Sequence, residues 1–145
     1  MSREAPVKRV LLGIQADLAD YRELRDLQEA QFEASLRHDS TALTDIAANI
    51  SMLCVVLDAR LRERTELLEN DPGFSEGLSL QTRMTVLLEG LPVAVRTLAV
   101  SVWNELEALV RECKALNARN CALIMEQHAI MQRVLGHEAG IYAPR

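Results

Sequence analysis

The chain has 145 residues, a formal net charge of −5 at pH 7 and a pI near 5.2, and that length suits one domain with its own core. The negative charge argues against a surface for nucleic-acid phosphates. Aromatic residues make up only 3% of the chain, with six Gly and four Pro, and because sheets need aromatic residues and frequent turns, this composition predicts an all-α fold.

The first half of the chain is predicted to form an antiparallel helical hairpin. Apolar residues recur at spacings of three and four from Val7 to Leu27, which predicts a first helix over about residues 7–37. Asp39 is a good N-cap for a second helix over about residues 40–68, and a connection this short requires the two helices to run antiparallel. The apolar stripe of the second helix consists of Leu43, Ile46, Ile50, Leu53, Leu57, Leu61 and Leu68.

The second half of the chain is predicted to contain one short and one long helix. An Asp-Pro-Gly cluster indicates a loop over residues 70–77, and a short helix over about residues 79–89 follows it. Pro92 is well placed as the first residue of the next helix. No residue breaks the helical pattern from there to Gly136, so this helix would have about 45 residues and a length of roughly 65 Å.

The predicted organisation is therefore one helical-bundle domain over residues 1–136, followed by a flexible C-terminal tail over residues 137–145. Each arm of the hairpin has about 30 residues, so the hairpin can cover only part of the long helix. In the C-terminal part of that helix, residues 115–136, the charged residues fall on one thin line along the helix. They are Arg119, Glu126 and Arg133. The rest of its surface is a broad apolar arc with amide side chains through its middle, which is unusual for a surface helix.

Periodicity leaves two interpretations of this arc open. The arc is core if the chain folds back compactly, or it is a face that binds a partner. A single buried Asn in a helical seam usually fixes the register of the helices. However, Asn117, Asn120 and Gln127 lie within eleven residues, and a surface that water can reach satisfies such amides when a partner leaves. Met125 and Met131 are also typical of adaptable binding surfaces.

The sequence gives little reason to expect catalysis or a bound metal. Ser, His and Asp do not cluster, and no Gly-rich phosphate loop is present. Cys121 and His128 are two helical turns apart, about 10 Å along the axis, whereas one zinc ion needs ligands about 2 Å away. Three cysteines, an odd number, suit reduced thiols, and the apolar stretch "MLCVVL" (52–57) is too short to span a bilayer. We therefore expect a cytoplasmic protein that is not an enzyme and has no cofactor.

Three segments of the chain resemble the FlgN family of flagellar type III export chaperones. The first is the hairpin turn "LRHDSTAL" (36–43), in which an acidic residue caps the second helix. The second is "LNARNCALI" (116–124), an asparagine pair followed by aliphatic residues on the long helix. The third is the tail motif "IYAP" (141–144). Cys121 and Ala143 depart from the family pattern, in which glycine is usual at both positions.

The resemblance implies a cytoplasmic chaperone that binds hook–filament junction (hook-associated) proteins, prevents their premature polymerisation and delivers them to the flagellar export apparatus. Its C-terminal region would bind the client, and the free protein would be a monomer or a weak dimer. The alternative is a structural homodimer or coiled-coil adaptor in which the same arc is a self-association seam. The candidate client-binding residues are Leu116, Asn117, Asn120, Leu123, Ile124, Gln127, Ile130, Met131, Val134, Leu135 and Tyr142.

Overall fold

The computed structural model describes residues 4–70 and 77–142, with the backbone alone for residues 138–142. This part of the chain forms four helices and no strand. The predicted all-α fold, a hairpin packed along a long helix with a short helix in the connection, is confirmed. The helices are α1 (Glu4–Leu36), α2 (Ser40–Glu69), α3 (Leu80–Glu89) and α4 (Val93–Tyr142).

Helix α1 is the packing partner of both other long helices. Helix α2 runs antiparallel to it, and helix α4 runs parallel to it along a second face. Between α1 and α2, the buried carboxylate of Asp17 accepts hydrogen bonds from Arg60 at 3.1 Å and from Arg64 at 2.9 Å. Because a buried charge needs partners, this cluster fixes how the two helices align.

The turn between α1 and α2 follows from a few local interactions. His38 adopts a left-handed conformation with φ of 55°, and the next amide, that of Asp39, donates to the Ala34 carbonyl at 3.0 Å. This is the hydrogen-bonding pattern that commonly ends a helix. The Asp39 carboxylate then accepts a hydrogen bond from the Ala42 amide at 3.0 Å, which confirms Asp39 as the predicted N-cap of α2.

Helix α3 lies between the C-terminal end of α2 and the N-terminal end of α4 and contacts both helices. Ser79 caps it, and its Arg83 guanidinium donates to the carbonyls of Leu68 at 2.9 Å and Leu78 at 3.1 Å. Met84 is completely buried and belongs to the same apolar cluster as residues of α1 and α4. The short helix therefore closes one end of the bundle.

The predicted stripe of α2 is only partly buried. Leu57 and Leu68 belong to the core, while Leu53 is half-buried and Leu61 is exposed. The apolar character of α2 extends well beyond residues 52–57, since its most apolar 18-residue window has a mean hydropathy of 1.6 and is only 6% buried. By length and composition this helix could cross a membrane, but one such helix does not decide location, and the cytoplasmic location remains a prediction.

Helix α4 is longer than the sequence pattern predicted. It begins directly after Pro92 but continues to Tyr142, six residues beyond the expected end at Gly136. One Gly in a helix interior costs only about 1 kcal/mol relative to Ala, so Gly136 weakens the helix without ending it. The predicted end of this helix at residue 136 is therefore corrected to residue 142. The flexibility expected of the tail remains a prediction, and residues 143–145 lie outside the described residues.

The difference in burial between Leu57 and Leu53 gives a test of the α2 packing. Leu57 is 7% exposed, so Leu57→Ala should lower the free energy of unfolding by about 2–4 kcal/mol through lost contacts and a residual cavity. Leu53→Ala should cost less, because its side chain is half-buried. Urea denaturation of both variants measures the difference. An equal or larger cost at Leu53 would contradict this packing.

Candidate partner-binding surface

The face that α4 turns toward α1 is marked by residues spaced by seven, the repeat that keeps one helix face against another. The burial of these residues changes abruptly along the series. Its first members lie in the core, but Val134 is 49% exposed. The change falls between Gln127, which is half-buried, and Val134. The series consists of Ala99, Leu106, Cys113, Asn120, Gln127 and Val134.

Asn120 is the polar centre of the packed part of this face. Its side chain is 1% exposed, and its Nδ2 donates to the Gln28 carbonyl at 2.7 Å and to Oε1 of Gln31 at 2.9 Å. About two turns earlier on α4, the Cys113 carbonyl accepts a hydrogen bond from the side-chain amide of the same Gln28 at 3.1 Å. A polar residue at such a position sets the register of paired helices, and this pair fixes α1 against α4.

Gln127 marks the point where α1 stops covering α4. Its Nε2 donates to the Ser35 carbonyl at 3.0 Å, and α1 ends at the next residue, Leu36. Helix α4 continues for residues 128–142, which is about 22 Å of helix. We call this segment the α4 extension.

The apolar stripe of α4 continues onto the extension without the cover of α1. Every residue from 128 to 137 is exposed, including four large aliphatic side chains that lie within two turns of helix. Exposed apolar side chains grouped on one face of a helix are typical of a surface that binds a partner. We call these four residues the extension stripe, and they are Ile130, Met131, Val134 and Leu135.

The candidate client-binding residues therefore separate into two groups. Asn120 is buried and Gln127 is half-buried, and both bond to α1, so these two belong to the intramolecular seam. Leu116 and Leu123 are half-buried. In the free chain α1 already binds both amides, and the role of Asn120 and Gln127 in client binding stays a prediction. The exposed candidates are Asn117, Ile124, Ile130, Met131, Val134 and Leu135, while the side chain of Tyr142 lies outside the described residues.

Sequence reasoning missed the structural role of Arg119. Its guanidinium lies 3.8 Å from the centroid of the Phe32 ring and donates to Oδ1 of Asn120 at 3.2 Å and to Glu29 at 3.4 Å. Arg119 is therefore part of the clamp between α1 and α4 rather than a solvated charge. Its position beside Asn120 was visible in the sequence, but the aromatic ring that it covers is 87 positions earlier in the chain.

Two other features bear on catalysis and metal binding. A groove of about 460 Å³ lies where α1, α2, α3 and α4 meet, and its wall includes Trp103, Val110 and Lys114. Among the described side chains, no group of three or more His, Cys, Asp or Glu residues is arranged to hold a metal ion. Cys121 and His128 each contact a neighbour on α4 itself, Asn117 and Gln132 respectively.

Comparison of the chain with protein-family models, curated proteins and solved structures gave no match.

Replacing Asn120 should affect folding rather than partner binding. Asn120→Ala removes three hydrogen bonds, two donated by the amide to α1 and one accepted from Arg119. The free energy of unfolding should therefore fall by about 1–3 kcal/mol. Asn117→Ala is the matched control, since this second amide is exposed, and it should change stability by less than about 0.5 kcal/mol. Equal effects of the two substitutions would show that the seam is not packed as described.

The three cysteines should differ in reactivity. Burial, with a smaller effect from Glu112, raises the pKa of the Cys113 thiol from 9.0 to about 11, while Cys54 and Cys121 are exposed. Cys113 should resist alkylation in the native protein and react only on unfolding. Because the native state holds this proton more tightly, its contribution to stability should fall as the pH rises from about 9 to about 11. Mass spectrometry after brief labelling measures the reactivity of each thiol, and equal labelling rates for all three cysteines would contradict the burial of Cys113. Urea denaturation at about pH 8 and at higher pH measures the change in stability.

Proposed function

We propose that this protein is a non-enzymatic export chaperone of the FlgN type. In this proposal it binds hook-associated proteins in the cytoplasm, prevents their premature polymerisation and delivers them to the flagellar export apparatus. The observation that carries the proposal is the extension stripe, an apolar helix face that continues the α1–α4 seam beyond the end of α1. The resemblance of the hairpin turn, the asparagine pair and the tail to the FlgN family supports the choice of client.

The extension stripe is suited to an amphipathic helix from another protein. Up to Gln127, α1 occupies the groove beside α4, and beyond Leu36 that position is open. A helix with apolar residues at spacings of three and four could occupy the open position and continue the same side-chain packing. Burial of apolar surface would drive the association, at roughly 25 cal/mol for each Å² removed from water.

This mode of binding explains how a chaperone could prevent polymerisation. Proteins that assemble through terminal amphipathic helices expose the same apolar faces before assembly. A helix that is docked on the extension stripe cannot pair with another subunit at the same time. A stripe of about two turns also buries a modest area, which would allow the client to be released at the export apparatus.

The alternative function is that of a homodimer or coiled-coil adaptor in which two extension stripes pair with each other. The same aliphatic side chains would then be buried in a self-association seam. The two functions differ in what occupies the stripe, so substitutions in the stripe distinguish them. An adaptor of this kind would lose its dimeric mass, whereas the proposed chaperone would lose its client.

The stripe can be tested with two single variants that place the same charge on opposite faces of α4. Ile130→Asp should abolish binding of purified hook-associated proteins, because a charge cannot be buried unpaired in a helical interface. Its melting temperature should stay within about 2 °C of the parent, since Ile130 is exposed in the free protein. Ala129→Asp, an exposed position one residue earlier, introduces the same charge away from the stripe and should bind normally.

The outcomes of this pull-down are distinct. Loss of binding at Ile130 alone, with unchanged melting, supports the chaperone. Unfolding of the Ile130→Asp variant would mean that the stripe is core, which contradicts the exposure on which the proposal depends. A parent protein that binds no hook-associated protein, but forms a dimer that Ile130→Asp dissociates, would favour the adaptor.

A further inference from the structure

Helix α2 carries a second regular series on the face opposite its packed stripe. The residues of this series recur at alternating spacings of four and three, the a and d positions of a heptad repeat. All of them are exposed, and the central two, Met52 and Val55, are 69% and 70% exposed. We call this series the outer seam of α2, and it consists of Thr41, Asp45, Ala48, Met52, Val55, Ala59, Arg62 and Glu66.

The outer seam is complementary to its own reversed copy. Its midpoint lies between Met52 and Val55, and residues at equal distances on either side form matching pairs. In an antiparallel pair of α2 helices related by a two-fold axis, Met52 would face Val55 of the second copy. Ala48 would face Ala59 in the same way, and these two small side chains would allow the helix backbones to approach closely.

The charges at the ends of the seam complete this complementarity. The position equivalent to Asp45 across the midpoint is Arg62, so each end of an antiparallel pair would bring opposite charges together. Arg62 is 79% exposed and contacts Asp58 of its own helix at 2.8 Å, an exposed pair worth little in water, and within the described residues Asp45 has no ion-pair partner. In a parallel pair, Asp45 would face Asp45 and Arg62 would face Arg62, so the charges select the antiparallel arrangement.

We propose that the outer seam of α2 binds a second copy of this chain in an antiparallel, two-fold symmetric pair. The seam is about 37 Å long, and two single helices bury a small interface, so the dimer should be weak and should depend on protein concentration. This inference is independent of the proposed function, because the outer seam and the extension stripe lie on different helices. Each can therefore be disabled while the other remains intact.

Sedimentation equilibrium over a range of concentrations tests the seam. The parent should show a monomer–dimer equilibrium, and Val55→Glu should leave only monomer, since two glutamates would enter the centre of the interface. Leu98→Glu is the matched control, because it also replaces an exposed aliphatic residue but lies on α4, and it should leave the dimer unchanged. Ile130→Asp should likewise leave this dimer intact, which separates it from pairing through the extension stripe.

Charge reversal tests the antiparallel arrangement itself. Asp45→Arg alone, or Arg62→Asp alone, brings like charges together at both ends of the seam and should raise the dimer dissociation constant at least about tenfold. Combining the two substitutions restores opposite charges and should return the constant to within about threefold of the parent. The differences should shrink at high salt, because the charges are exposed.

Several results would overturn the proposal. They are a parent that is monomeric at every accessible concentration, a dimer unaffected by Val55→Glu, and a double variant no more dimeric than either single variant. Binding of the parent to neutral phosphatidylcholine vesicles without self-association would also overturn it, since the apolar face of α2 would then contact lipid. Circular dichroism confirms that each variant remains helical, and all the substituted positions are exposed in the free chain.

Discussion

The structure depends on α1 packing against two long helices at once. Polar groups of α1 align both neighbouring helices. The Asp17 carboxylate accepts hydrogen bonds from two arginines of α2, and the side chain and backbone carbonyl of Gln28 form hydrogen bonds with α4. The length of α1 then decides what is covered. With 33 residues against the 50 of α4, α1 must leave part of the longer helix without a neighbour. The extension stripe is the direct consequence of that difference in length.

The distribution of polar and apolar residues along α4 is the reverse of what solvent exposure alone would favour. Where α1 covers the face, it contains Asn120 and Gln127, each with a bonded amide. Where the cover ends, the same face presents exposed apolar side chains at Ile130, Met131 and Val134. Burying amides costs stability unless they are bonded, and exposing aliphatic groups forgoes hydrophobic stabilisation. The amides are bonded in the free chain, and the exposed apolar groups would gain hydrophobic stabilisation if the extension is buried in a complex.

Local signals predicted the fold well, and long-range contacts limited what could be said of the site. Spacings of three and four identified the helices, and Asp39 located the hairpin turn, because these effects act within a few residues. The assignment of Asn120 to the seam depended on Gln28 and Gln31, about 90 positions away, and periodicity on one helix does not reveal its neighbour. The length of α4 was underestimated because Gly136 is a weak breaker whose effect depends on the residues that follow it.

The two apolar surfaces have different geometry, which suggests different occupants. The outer seam of α2 has a midpoint and opposite charges at equal distances from it, so its own reversed copy fits it. The apolar residues of the extension stripe also match about their midpoint, Ile130 with Leu135 and Met131 with Val134, but no opposite charges lie at equal distances from it. The stripe instead continues the α1–α4 seam in one direction. A surface with self-complementary charges suits a symmetric dimer, and a face that extends the seam with α1 suits a helix from a different chain. If both surfaces act, each dimer would carry two client sites, and a client with two copies of the docking helix would bind more tightly through its second contact.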